Sequence, residues 1–305
     1  MNAVPLKLRP LGRTGLLVSP LGLGCVTFGR EIDESTARIV LLRALDAGIN
    51  LCDTSEAYTE GASETVLGNL IVKLGLRERL LVCTKVRDNL TRDRIRQAAE
   101  ASLRRLRLDS IDLYLIHRFD PGTPLEESLE AMDGLVREGK VRHIGCSNFS
   151  AEQLGRALAL QRSAGWQTFE VIQPVYNLVA RTAEADLFPL CHREGIGIVS
   201  YSPLAAGFLT GKYNRDGAIP RGSRFDVKPG HQRLYFHEDA FAAVDRLRRL
   251  SRTAGLPVET LALRWAFARP VDCFLVGARS PRHIDQAVEA WQARGTRAEP
   301  LAEFP

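Results

Sequence analysis

The chain has 305 residues, of which 45% are hydrophobic and 25% charged, with a formal charge of +5; such a composition buries a full core and excludes disordered and fibrous classes. Its Lys and Arg are interleaved with acidic residues and accompany no aromatic platform, so they read as solvated helix faces and no nucleic-acid partner is expected. Six cysteines, at 25, 52, 83, 146, 191 and 273, form no CxxC pair and no cluster with zinc-site spacing, and no run of about eighteen apolar residues marks a membrane span; the expectation is free thiols, no metal and a cytoplasmic protein with no membrane partner.

At the N-terminus, LKLRPLG and LLVSPLG are split by Arg13-Thr14-Gly15, which predicts a hairpin within residues 1–20, placed to plug the bottom of the main fold. Eight short apolar runs come next: 21–25, 49–52, 79–85, 111–117, 141–148, 169–173, 196–202 and 272–277. The C-terminal ends of the first seven predicted strands, near 25, 52, 84, 116, 146, 173 and 200, fall at steps of 27 to 32 residues, about one strand, one helix and two loops. Between them, 36–47, 63–74, 91–106, 125–138, 150–163 and 183–193 carry helical periodicity, and Gly48, Gly75, Gly139 and Gly195 stand where helices stop. The expected fold is therefore α/β, a (β/α)8 TIM barrel occupying residues 1–305 as one domain. A long interruption over 203–271 comes after the seventh barrel strand, with a Gly/Pro/Arg-rich loop near 207–236 and two helices near 238–254 and 258–268. A loop of that length after a late barrel strand points to function.

In such a barrel the polar residues at C-terminal strand ends face the pocket. Those ends carry Asp53 with Tyr58 five residues on, Lys85, His117, Ser147-Asn148, Gln173 and Tyr201-Ser202. An ammonium after the apolar run LLVCT needs an anion, and Asp53 on the neighbouring strand is the candidate. A free tyrosine titrates near pH 10, too high for acid catalysis at neutrality, and a nearby lysine favours its phenolate. Tyr58, Lys85, Asp53 and His117 therefore form a candidate proton-donating site, with His117 able to donate a hydrogen bond to an oxygen gaining negative charge.

The segments DTSEAYTEGASETVLG (53–68), LVCTK (81–85), IDLYLIH (111–117), IGCSNFS (144–150), IQPVYN (172–177), SYSPLAAGFLTGKY (200–213) and LVGARSP (275–281) resemble, in order and across nearly the whole chain, the aldo-keto reductase superfamily, in particular the bacterial branch related to the voltage-gated potassium channel β subunits. The resemblance implies reversible reduction of an aldehyde or ketone to an alcohol, with hydride from a nicotinamide C4 and Tyr58 as general acid or base within a tetrad of Asp53, Tyr58, Lys85 and His117. It implies that Ser147, Asn148 and Gln173 hold the carboxamide and that Tyr201 stacks on the nicotinamide. Ser202, Leu204, Gly207 and Lys212 match the cover over the pyrophosphate, and Gly277 and Arg279 lie in the adenosine-phosphate loop, with Arg224 a further phosphate contact. His283 and Gln286 occupy adenine and 2′-phosphate positions at which related sequences carry other residues. Arg279, Arg282 and Arg224 still offer positive charge, so NADP is expected, with NAD as the alternative. Thr59 stands where relatives often have Gly, which is expected to affect the loop more than the chemistry. Val26, Thr27, Phe28, Arg118, Phe119, Phe225 and Tyr235 are candidate pocket walls. The partner is then a small carbonyl or alcohol, and the chain a monomer or homo-oligomer. Two other classes remain open: a nicotinamide-binding regulatory subunit with little turnover, and a lyase using Lys85 as a Schiff-base nucleophile.

Overall fold

Every apolar run becomes a strand of one closed, parallel sheet. The computed structural model describes residues 5–295 and 304. After a two-stranded antiparallel hairpin, β1 (Arg9–Pro10) and β2 (Leu17–Val18), come β3 (Leu21–Gly24), β4 (Leu51–Asp53), β5 (Leu81–Val86), β6 (Ile111–Ile116), β7 (Val141–Ser147), β8 (Val171–Gln173), β9 (Gly197–Ser200) and β10 (Cys273–Gly277). The last eight pair in chain order, and β10 closes the ring between β9 and β3. The fold is the (β/α)8 barrel. Between strands lie α1 (Glu34–Asp46), α2 (Ala62–Leu74), α3 (Arg92–Leu106), α4 (Leu125–Arg137), α5 (Ala151–Ala164) and α6 (Leu187–Glu194).

Helix ends obey local chemistry. Asp33 caps α1 by accepting from the Thr36 N–H, and Ser150 with Gln153 forms a reciprocal capping box at α5. Gly75 and Gly195 end α2 and α6 in the left-handed region, where a Cβ would be penalised. The helix expected over 183–193 is shorter: a 3-10 turn at Thr182–Glu184 precedes α6. Pro189 explains the delay, because proline is tolerated only in a helix's first turn.

Chain contacts divide the molecule into two compact units. One comprises Met1–Pro174, Ala183–Tyr201 and Val271–Ile284; the other comprises Val175–Thr182, Ser202–Pro270 and Asp285–Pro305. The first contains the barrel, whose interior is filled by Leu51, Cys83, Leu113, Leu115, Val171, Val199, Cys273 and Leu275. Leu11 and Val18 of the hairpin join that cluster. A Cβ added to Gly197, at the start of β9, would stand 2.7 Å from the Leu11 side chain, so the hairpin does seal the N-terminal end of the barrel. All six cysteines are buried and free, as small apolar groups commonly are.

The second unit holds α7 (Arg224–Val227), α8 (Glu238–Ala254) and α9 (Val258–Phe267), while α10 (Pro281–Gln292) begins in the first unit and ends in the second. Its long loop has a core of its own. Phe208, Tyr213, Phe225, Tyr235, Phe236 and Phe241 pack edge-on and stacked, with the Tyr213–Phe225 centroids 4.8 Å apart and Phe208–Phe241 5.0 Å apart. Such pairs add about 0.5–1.5 kcal/mol each beyond area burial. Arg215 pairs with Glu238 at 2.7 Å and Asp245 at 2.8 Å and lies over the Phe241 ring. Phe225 and Tyr235, expected as pocket walls, instead fill this cluster, and both are buried.

Leu11→Ala is expected to cost about 2–5 kcal/mol in guanidinium unfolding, the usual penalty for a core cavity. The exposed hairpin control Leu17→Ala should stay within about 0.5 kcal/mol of the parent.

Candidate active site

β4 and β5 run in parallel with Asp53 opposite Cys83. Lys85, two residues beyond Cys83, therefore projects from the same face as Cys83. Its ammonium, fully buried, donates to Asp53 Oδ1 at 2.5 Å and to the Thr54 carbonyl at 2.8 Å. Gln173, at the end of β8, donates to the same Asp53 oxygen at 2.7 Å. The loop after β4 brings the half-buried Tyr58 over this pair, with Lys85 Nζ 5.3 Å from its ring centroid. His117, the first residue past β6, meets Tyr58 edge-on at 5.9 Å between centroids. Four residues spread over 65 positions of sequence thus share one end of the barrel.

Burial opposes the charge on Lys85, yet Asp53 and Tyr58 outweigh it and hold the lysine above its ordinary range. For Tyr58 burial is the larger influence and raises its pKa; Lys85 pulls it down and Asp53 pushes it back up. The lysine does favour the phenolate, as the sequence leads one to expect, but the phenol as a whole is less acidic than a free tyrosine. The reason is that burial of the phenol outweighs the pull of Lys85, part of which Asp53 also offsets. Burial, and after it the cations Lys85, Arg87 and Arg118, pushes the His117 imidazole down to about 3, with Asp88 opposing. His117 is neutral at working pH.

A polar network continues from this cluster. Ser147 donates to the Gln173 carbonyl at 2.7 Å, and Asn148 donates to the His117 carbonyl at 2.9 Å and to Ser147 Oγ at 3.0 Å. The Tyr201 hydroxyl donates to Asn148 Oδ1 at 2.7 Å. Ser147, Asn148, Gln173 and Tyr201 are thereby linked to Asp53 and His117. Asn148 sits at φ +56°, a conformation Asn tolerates better than most. Elsewhere in the same unit, Gly277 and Arg279 are exposed beyond β10, and Ser280 Oγ lies 3.0 Å from His283 Nδ1 at the start of α10. Thr27 is buried against the Ala278 carbonyl at 2.9 Å. Ser55 is a site residue that the pattern of strand ends does not pick out. Its hydroxyl lies 3.1 Å from His117 Nδ1, and its position between Asp53 and Tyr58 was the available signal.

In the second unit, Ser202, Ala205, Ala206 and Gly207 all take positive φ, unusual for three non-glycine residues in six. Asn177 Nδ2 donates to the Ser202 carbonyl at 3.0 Å. Leu204 precedes the short 3-10 segment Ala205–Thr210, and a Cβ on Gly207 would stand 3.4 Å from the Lys212 ammonium. Strained backbone beside a lysine suits an anion such as a phosphate. Arg224 opens α7, and Gln286 lies half-buried on α10.

Residues 20–299 match the model of the Aldo/keto reductase family. The chain belongs to the aldo/keto reductase family. It is 36% identical over 291 residues to Aldo-keto reductase YhdN of Bacillus subtilis, covering 90% of this chain and 86% of the relative. It is 34% identical over 300 residues to an uncharacterized oxidoreductase, YrpG, of the same organism, covering 92% and 89%. A probable voltage-gated potassium channel subunit beta of Arabidopsis thaliana is also 34% identical over 300 residues, covering 93% and 91%. Family and relatives together support an oxidoreductase. Among the described residues, no helix is long and apolar enough to cross a membrane, and no group of three His, Cys, Asp or Glu could hold a metal ion.

In this aldo/keto reductase the turn after Tyr58 is strained. Thr59, Glu60 and Gly61 succeed one another at φ +50°, +53° and +86°. Only glycine enters that region freely, so a β-branched Thr59 stores about 1–2 kcal/mol there.

Thr59→Gly is therefore expected to stabilise the protein by up to about 1 kcal/mol, read as a higher denaturation midpoint; a lower midpoint would contradict the strain. For His117 the folded pKa lies below the unfolded value near 6.5. Its neutral burial carries no penalty above that pH, and stability erodes as pH falls from 6.5 towards about 3. His117→Gln should lose less stability than the parent between pH 7.5 and pH 4.5 in matched denaturant titrations.

Proposed function

We propose that this aldo/keto reductase is an NAD(P)H-dependent carbonyl reductase, acting reversibly on an aldehyde or ketone, with Tyr58 as its acid. The observation that carries this reading is the fully buried Lys85 ammonium held on Asp53 and lying against the Tyr58 ring. A nicotinamide cofactor, when bound, supplies the hydride. The protein's own groups handle the oxygen. Tyr58 stays protonated because burial keeps its pKa high, so it is loaded to give its proton to the carbonyl oxygen as negative charge develops there. Lys85 stabilises the phenolate left behind, and Asp53 with the Thr54 carbonyl fixes the lysine's position. His117, neutral and thus able to donate from one nitrogen, holds the reacting oxygen.

The carboxamide role assigned to Ser147, Asn148 and Gln173 suits their chemistry, since amides and hydroxyls pair with a carboxamide from both sides. In this structure those groups bond one another and Tyr201, so holding a carboxamide exchanges existing hydrogen bonds and spares the protein unsatisfied donors. Ser202, Leu204, Gly207 and Lys212 take the pyrophosphate in this reading. Gly277, Arg279, His283 and Gln286 take the adenosine end, with Arg224 a further phosphate contact. NADP(H) is preferred over NAD(H), because the exposed Arg279 and Arg282 offer charge to a 2′-phosphate.

The likeness to potassium channel β subunits favours a second reading, a nicotinamide-sensing subunit with slow turnover. Tight NADPH binding without appreciable turnover on a broad panel of carbonyls would favour it. The Schiff-base reading fares worse, since Asp53 and Tyr58 keep Lys85 protonated, and an ammonium is no nucleophile.

Tyr58→Phe removes one hydroxyl. It should leave NADPH affinity within about twofold by fluorescence titration and lower kcat for carbonyl reduction by about 10²–10⁴, the usual worth of a positioned acid. Undiminished turnover would refute the assignment.

A further inference from the structure

His117 has two ring nitrogens and, being neutral, a single N–H to place. Which nitrogen carries it decides whether the imidazole can donate to a substrate oxygen or can only accept. Nδ1 faces Ser55 Oγ at 3.1 Å, while Nε2 has no hydrogen-bond partner among the described residues. Nε2 is therefore the nitrogen left for a ligand beside Tyr58.

The hydroxyl of Ser55 has one proton and lies near two acceptors. The Lys85 carbonyl is 3.4 Å away, at the edge of hydrogen-bond range, and it already accepts the Glu56 N–H. His117 Nδ1 is closer. The Ala57 N–H donates to Ser55 Oγ at 3.2 Å, which occupies one of its lone pairs. If Ser55 gave its proton to the Lys85 carbonyl, its oxygen would have to accept from both Ala57 and Nδ1–H, and Nε2 would be left bare. The oxygen could accept both, so the distances decide: the 3.1 Å contact to Nδ1 favours donation there over the 3.4 Å contact to the Lys85 carbonyl.

We propose that Ser55 is a positioning residue that sets the tautomer of His117, donating its hydroxyl proton to Nδ1 and so keeping the imidazole hydrogen on Nε2. This rests on the reductase reading for its purpose, but the tautomer itself is a property of the protein alone. Ser55 touches neither substrate nor cofactor in this scheme; it acts through His117. A serine here provides a hydrogen bond that an alanine of nearly the same size could not.

Long-range ¹H–¹⁵N spectra of the protein labelled at histidine, recorded at pH 7, read the tautomer directly. The expected result is an unprotonated Nδ1 and a protonated Nε2 for His117, identified by loss of its signals in His117→Gln. Ser55→Ala should shift that ¹⁵N pattern towards a mixture and lower kcat about tenfold with an unchanged KM for NADPH, the scale of one lost hydrogen bond to a reacting group. Ser55→Thr, which keeps the hydroxyl, should restore both. Protonation of Nδ1 in the parent would overturn the proposal, as would a Ser55→Ala variant with unaltered imidazole shifts. The parent spectrum decides even if Ser55→Ala fails to fold. Because the spectrum needs no turnover, it is independent of the Tyr58→Phe test: the tautomer can be confirmed while the reductase reading fails, or the reverse.

Discussion

A lysine with no exposed surface is the constraint on which the rest of the site depends. Taking an ammonium out of water costs several kcal/mol, and pairing it with a carboxylate roughly offsets that cost without turning it into a large stabilising contribution. Lys85 and Asp53 are therefore poorly explained as a fold-stabilising pair. Once the pair is present, its neighbours are fixed: the Thr54 carbonyl and the Gln173 amide complete its hydrogen bonds, and the Tyr58 ring covers it. The remaining site residues extend outward from that point through Ser147, Asn148 and Tyr201.

Much of this was readable from the chain. The eight strands were legible because parallel strands buried on both faces appear as short, unbroken apolar runs, and Gly48, Gly75, Gly139 and Gly195 marked the ends of four of the six helices between them. Asp53, Lys85 and His117 stood out because ionisable groups at the ends of such runs need a reason to be there. What the residues did not disclose was the balance of energies. The effect of Lys85 on Tyr58 could be given a sign from the sequence, but whether it exceeds burial depends on how far the phenol is withdrawn from water and on how tightly Asp53 holds the lysine. Neither quantity is local in sequence.

Other features were hidden for a different reason. Ser55 looks like an ordinary polar loop residue until β4 and β6 are folded onto opposite edges of β5, which brings a hydroxyl to an imidazole 62 residues away. Phe225 and Tyr235 read as pocket walls because they lie in the long loop after the seventh barrel strand; their neighbours Phe208, Tyr213 and Phe236 come from the same loop and form a small apolar core with them. Pro189 was visible, and its effect on the start of α6 comes from proline's missing donor.

The burial of all six thiols inside this molecule has a practical side. A sulfur walled off from solvent is shielded from alkylating dyes and oxidants until the surrounding structure opens, so the native protein is chemically silent at cysteine. Thiol labelling then becomes a clock for opening events, with Cys83 and Cys273, set in the heart of the barrel, reporting disruption of the barrel itself. A single cysteine introduced on the surface would give a uniquely addressable position for a spectroscopic label, with no need to remove the native six first.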